Sequence, residues 1–344
     1  MKKIFLTLTA VLIAGIFAGC ASTKNNTSAN TNVYESTDTS TSYPQETEIV
    51  YAGTETKELC NITINGITYE KTGEVLIRPL GEFVGTVNKQ LHPFEKGKIV
   101  TMNPYIMNKY EVTQEFYAAV MKDQKVVIDG KTYILNSDPS CCKNSNGYHI
   151  LAEGEIEKYR PVERVTICDA MYFCNILSEK TGLSKAYNII IKQIEDGHIT
   201  DANITLIKDS NGYRLPTHAE WEFAARGGDP TKEDWNYRYS GSKEIDDVAW
   251  YYYNTCNNGI TASAEPVPGN AGFGAHEVGM KKANRIGLFD MNGNVSEFDA
   301  DYEFLGGGWF DTIDRCETTT TCHFSNAKRG KEGDIGFRLV RSVQ

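Results

Sequence analysis

Near the end of the 344-residue chain, Gly306 to Phe324 reads G-G-G-W-F-D-T-I-D-R-C-E-T-T-T-T-C-H-F, with Cys316 and Cys322 separated by Glu317 and a run of threonines. Three chemistries fit these residue types. A cysteine pair can be redox-active. It can instead form a disulfide that staples and pre-organises a loop, or remain as two buried thiols. The segment can also be a contact surface. Phe310, His323 and Phe324 then supply apolar area, and Asp311, Asp314 and Arg315 supply charge-assisted hydrogen bonds. Thr312, Thr318 and Thr320 suit an extended half-exposed strand and lose little side-chain entropy on binding, while Ser325 and Asn326 add polar contacts.

A second constellation lies just upstream. Asp290-Met291-Asn292-Gly293-Asn294-Val295-Ser296-Glu297 sets two carboxylates around Gly and Asn residues that turn the backbone. Such a loop offers oxygens to a hard cation such as calcium, or closes as a metal-free turn held by the Asn side chains. Cys141 and Cys142 are adjacent and cannot bond to each other without strain, so at least one needs another partner or stays free. The six histidines are scattered singly, and no Ser-His-Asp order, phosphate loop or CxxC motif is present.

The elements that must position these residues are short. Asn61 to Tyr69 alternates β-branched and polar residues around Asn65-Gly66, a two-residue hairpin signal, and Glu74 to Val87 continues as extended chain. Thr113 caps a helix over 112–121 with Phe116, Val120 and Met121 inward. A second helix is expected from Asp169 to Lys180, with Ala170, Phe173, Cys174 and Leu177 on one face and Gly182 as its stop. Thr217 and Glu220 form a capping box for a third, with Trp221, Ala224 and Ala225 inward and Gly227-Gly228 ending it. Gly336-Phe337-Arg338 reads as a closing core strand that buries Phe337. No internal repeat or linker divides the body, so 49–344 is expected to be one domain.

Outside that body the chain changes character. Lys2 and Lys3 precede an apolar run from Ile4 to Phe17, too short to span a bilayer, so 1–20 reads as a cleaved signal. Its exit, Phe17-Ala18-Gly19-Cys20, resembles a bacterial lipobox that would make Cys20 the lipidated first residue. Residues 21–48 are rich in Ser, Thr and Asn and form a flexible tether. The body, 40% hydrophobic and 23% charged over the whole sequence, has a soluble composition. A net charge of −10 without a basic stripe argues against nucleic acid as partner.

Five segments occur in the order seen in one family: MNKYEVTQEFY from Met107, PVERVTICDAMYFCN from Pro161, NGYRLPTHAEWEFAARGG from Asn211, NRIGLFDMNGNVSEF from Asn284 and IGFRLVR from Ile335. They resemble the formylglycine-generating-enzyme, or sulfatase-modifying-factor, family over roughly Leu76 to Arg341. The resemblance implies an α+β variant of the C-type lectin fold with sparse regular secondary structure. It also implies a structural calcium site ligated by the Asp290 and Glu297 carboxylates and the Gly293 and Val295 carbonyls. The family's enzymes oxidise a substrate cysteine with two copper-binding cysteines five positions apart. Cys316 falls on the first, but Cys322 is one residue too far, which in extended chain turns a side chain to the opposite face. Gly308 replaces the family's Ser, and the Arg/Tyr-rich surroundings are absent. The same fold carries the variable proteins of diversity-generating retroelements, whose last fifty or so residues are diversified into ligand-binding surfaces.

In that comparison 295–344 is the variable region, with Trp309, Glu317 and Lys328 as scaffold positions. The resulting expectation is a monomeric, non-enzymatic lipoprotein at the outer-membrane surface that binds a protein or glycan and requires no cofactor beyond structural calcium. Formylglycine-type oxidation at Cys316 and Cys322 is the alternative.

Overall fold

The computed structural model describes residues 51–147, 149–256, 271–323 and 333–343. The signal, Cys20 and the tether therefore lie outside the described residues, as do Phe324, Ser325, Asn326 and the side chain of His323. From Glu48 onward the chain forms one compact unit.

The first strands are β1 (Tyr51–Leu59), β2 (Thr63–Ile64), β3 (Ile67–Thr68), β4 (Glu74–Val84), β5 (Ile99–Thr101) and β6 (Tyr105–Asn108). The Asn-Gly signal holds: β2 and β3 pair across Asn65 and Gly66, both at positive φ, as a two-residue hairpin requires. Two more hairpins turn on Asp-Gly. They are β7 (Lys125–Ile128) with β8 (Lys131–Ile134), and β9 (Tyr187–Glu195) with β10 (His198–Leu206).

The remaining strands are β11 (Tyr213–Arg214), β12 (Ser296–Phe298), β13 (Glu303–Leu305), β14 (Thr321–His323), β15 (Ile335–Gly336) and β16 (Val340–Ser342). The main sheet runs β1-β4-β6-β16-β11 with β5 on β4, and a smaller sheet runs β14-β13-β12-β15. The expected single closing strand is therefore split. The chain leaves the small sheet after Gly336 and joins the main one at Val340, and Phe337 and Arg338, both fully buried, cross between the two.

The helices follow their caps. α1 (Gln114–Met121) starts at Thr113, whose side chain accepts from the Phe116 amide. α2 (Ile167–Lys180) starts earlier than its apolar face suggests, because Thr166 and Asp169 make a reciprocal capping box. α3 (His218–Ala225) has the expected box from Thr217 and Glu220. Tyr117 and Phe173 stack at 5.3 Å between α1 and α2, with Phe337 against them. Trp221 and Phe223 of α3 pack with Phe83, Phe94 and Trp235 in a second core beneath the main sheet.

Two buried ion clusters tie the loops to this frame. Arg338 grips Glu297 through Nε and Nη2 at 2.7 and 2.6 Å and donates to the carbonyls of Asn108, Lys109 and Phe289. Glu155 binds Arg160 at 2.7 Å and His276 at 2.6 Å, joining the segment before α2 to the 271–279 segment. Burial raises the Glu155 pKa, but His276 and Arg160 outweigh it and hold the carboxyl at about 2. A folded pKa below the unfolded one gives stability that is present above the unfolded value, about 4.3, and lost as pH falls toward the folded value. Glu155→Gln should therefore lower the urea midpoint at neutral pH, at a cost on the order of 3 kcal/mol, and flatten the loss of stability on acidification below about pH 4.3. Urea titrations of both proteins across that range measure it.

Candidate functional site

The terminal loop is built on three glycines. Gly306 and Gly307 take positive φ, and a Cβ on Gly307 would stand 2.8 Å from the Arg315 carbonyl and 2.9 Å from Cys316 Sγ. Gly308 lets the Asp334 backbone approach, where a Cβ would lie 2.7 Å from its carbonyl. Trp309 is buried, its amide bonded to the Asn294 carbonyl and its ring N–H to the Gly333 carbonyl at 2.8 Å. On the far side the Asn292 amide donates to the Cys316 carbonyl at 2.9 Å, and the Thr318 amide to the Arg238 carbonyl. Between these anchors Phe310 to Arg315 bulges outward.

The loop sorts the expected contact residues into three groups. Phe310, Thr312, Asp314 and Arg315 are exposed, Phe310 by 52%. Asp311 and Thr320 are half-buried and hold the loop's own shape, Asp311 by accepting the Gly308 amide at 2.9 Å and Thr320 by donating to the Asp314 carbonyl at 3.0 Å. Thr318 is 2% exposed and offers no contact, because its backbone is drawn in by Arg238. His323 extends the small sheet opposite Glu303.

Sequence reasoning missed two aromatics. Tyr252 donates its amide to the Asp311 carbonyl and sets its ring against Phe310 at 5.5 Å and Tyr253 at 5.1 Å. Tyr253 is 37% exposed, so Phe310, Tyr252 and Tyr253 form one aromatic patch rimmed by Thr312, Asp314 and Arg315. The run W-Y-Y-Y from Trp250 was the available signal. Arg238 bridges Asp314 and Glu317, bracing the rim from below.

For the cysteines and for the 290–297 loop the sequence left two forms open. All the described cysteines are thiols, so Cys316 and Cys322 take the second of the two forms left open, and glycine packing and hydrogen bonds fix the loop. Cys316 is fully buried, and burial pushes its thiol well above the usual range. Cys322 is half-buried on β14 beside Arg315. Within the expected calcium set Glu297 is already engaged, while the buried Oδ1 of Asp290 has no hydrogen-bond partner. Both Glu297 oxygens are occupied by Arg338 and the Trp221 ring N–H, so a guanidinium already supplies the positive charge. Asp290 accepts the Gly279 amide at 2.7 Å. Gly293 and Val295 donate their amides to the Gly306 carbonyl and to Glu111. Asn292 and Asn294 hold the turn, binding Ser240, Cys316, Glu111 and His276.

The histidines are less scattered than the sequence shows. His92 and His218 converge on Glu222 at 2.9 and 3.3 Å, although Arg226 also holds that carboxylate at 2.6 Å. His149 lies beside Cys141 and Cys142, with one ligand atom from each of the three within 4.8 Å of the others. There the Cys141 thiol is pulled far below its usual range, chiefly by its hydrogen bond with Cys142 and also by His149.

A six-stranded sheet, a four-stranded sheet, small hairpins, capped helices and long ordered loops ending in a clamped terminal loop define a C-type-lectin-type scaffold of the formylglycine-generating kind. Residues 65–343 match the sulfatase-modifying factor enzyme 1-like domain, and the chain belongs to that family. It is 34% identical over 264 residues to the chaperone protein LppX of Paenibacillus barcinonensis, covering 71% of this chain and 82% of that one. It is 30% identical over 151 residues to the mouse inactive C-alpha-formylglycine-generating enzyme 2, covering 38% of this chain and 44% of that one. Among solved structures, variable protein 1 of Treponema denticola superposes with a TM-score of 0.57 at 25% identity, covering 84% of this chain and 99% of that one.

Because Gly307 combines positive φ with backbone contact, Gly307→Ala should cost on the order of 1–3 kcal/mol, whereas Thr312→Ala should change stability by less than about 0.5 kcal/mol. Thermal unfolding of the two variants measures the difference.

Proposed function

We propose that the Phe310–Tyr252–Tyr253 patch and its Thr312, Asp314 and Arg315 rim form a ligand-binding surface for a protein or glycan, with no turnover. The observation that carries this reading is the division within one loop. Trp309, Cys316 and Thr318 are buried anchors, while the residues between Trp309 and Cys316 present an aromatic centre and a charged rim. Aromatic and arginine side chains are the types that dominate binding energy in protein interfaces. The solved variable protein, an inactive enzyme and a protein named as a chaperone among the relatives support a non-enzymatic role for this member of the family.

The oxidase alternative has less support. It needs two accessible thiols acting together, but Cys316 is buried beneath the glycine run with its proton held tightly. In this reading the lipobox-like Cys20 and the 21–48 tether would display the domain at the cell envelope, on the outer-membrane surface, as a monomer.

Binding to immobilised glycans and extracellular proteins tests the surface. A ligand captured by the native chain should lose at least about tenfold in affinity with Phe310→Ala or Tyr253→Ala, at unchanged thermal midpoint. Equal capture by native and variant proteins would refute the patch. Incubation with copper(I), oxygen and a cysteine-containing peptide should give no aldehyde; a stoichiometric aldehyde product would establish the oxidase instead.

A further inference from the structure

The cluster of Cys141, Cys142 and His149 lies behind the recognition loop and takes no part in the proposed binding. We infer that its two thiolates and imidazole form a binding site for zinc(II). One ligand atom from each residue lies within 4.8 Å of the others. Zinc–sulfur bonds of about 2.3 Å place two tetrahedral sulfur ligands roughly 3.8 Å apart, so this spread requires only small side-chain movement to close on one ion. Two sulfurs and one nitrogen are a donor set that zinc prefers, and ligation displaces the remaining thiol protons.

The surroundings are those of a built site. The Phe273 carbonyl lies 3.0 Å from His149 Nδ1, and the imidazole stacks on the Phe273 ring, fixing its orientation. Metal-bound histidines commonly bond a backbone carbonyl through the other ring nitrogen. Glu163 accepts the Cys142 amide at 2.8 Å and places its other oxygen 3.5 Å from Cys141 Sγ, so a carboxylate stands beside the thiols. Two glycines clear the space. A Cβ on Gly333 would lie 2.9 Å from Cys141 Sγ, and one on Gly274 would lie 2.6 Å from His149 Nδ1 and 3.3 Å from Cys142 Sγ. Phe273, Ala275, Val295 and Trp309 supply an apolar wall, while half-buried Cys141 leaves a way in from solvent.

The site is linked to the loop through Gly333. Its carbonyl accepts from Trp309 Nε1 at 2.8 Å and lies 3.5 Å from Cys142 Sγ. Ligation takes the Cys142 proton, so an ion at the cluster breaks this contact beside the anchor next to Phe310.

The test uses the full chain, reduced and stripped of metal, with cobalt(II) as the spectroscopic probe and zinc as competitor. One equivalent of cobalt should give thiolate charge-transfer and tetrahedral d–d absorption, zinc should abolish both, and zinc should raise the thermal midpoint. Cys141→Ser and His149→Gln should each weaken zinc binding at least ~100-fold while keeping the native near-ultraviolet dichroism, and Cys60→Ser should leave it unchanged. His149→Gln keeps both thiols, so it reports even if a cysteine variant fails to fold. Absence of stoichiometric binding, binding that survives His149→Gln and Cys141→Ser, or isolation of the pair as a vicinal disulfide that zinc cannot enter would each overturn the assignment.

Discussion

The buried guanidinium of Arg338 is the interaction on which the rest of the structure depends. A charge fully removed from water is costly unless its hydrogen bonds are satisfied, and here Glu297 and backbone carbonyls at the end of β6 and of the 289–297 turn supply them. Glu297 also receives the Trp221 ring N–H, so one carboxylate joins α3, the small sheet and the closing segment. Because Arg338 lies where the chain crosses between sheets, the pair sets both sheets in register with the turn. That turn carries Asn292 and Asn294, which hold the base of the terminal loop.

From this frame follows the separation between fixed and variable chemistry. The Asn292 amide, the Asn294 carbonyl and the Gly308–Asp311 contacts define the loop with backbone groups and buried side chains. None of them requires a particular residue at 310, 312, 314 or 315. A fold with sparse regular structure can present a long loop rigidly because hydrogen bonds to buried asparagines and carboxylates replace those of a sheet. The family relationship and the likeness to a solved variable protein agree with this fold.

Local signals in the sequence were reliable where the physics is local. Asn65-Gly66 made its hairpin, and Thr113 and the Thr217–Glu220 box started their helices where expected. The lectin-type α+β architecture was legible through five ordered motifs. Failures came where residues far apart in sequence meet. Glu297, read as a carboxylate of the 290–297 loop, has both oxygens bonded by Arg338, forty-one residues on. Thr318 looked like a contact until Arg238 drew its backbone inward. Tyr252 and Tyr253 stand beside Phe310 where Tyr252 bonds Asp311, and His92 meets His218 edge to face above Glu222, which both approach. Neither spacing nor periodicity carries such pairings.

The most direct measurement of the central claim is a displayed library that randomises Phe310, Thr312, Asp314 and Arg315 together, sorted for protease resistance, beside one that randomises Gly307, Trp309, Cys316 and Thr318. If the scaffold is fixed by its buried frame, most members of the first library resist proteolysis like the native chain and almost none of the second do. Loss of folding in the first library to the same extent as in the second would contradict the account.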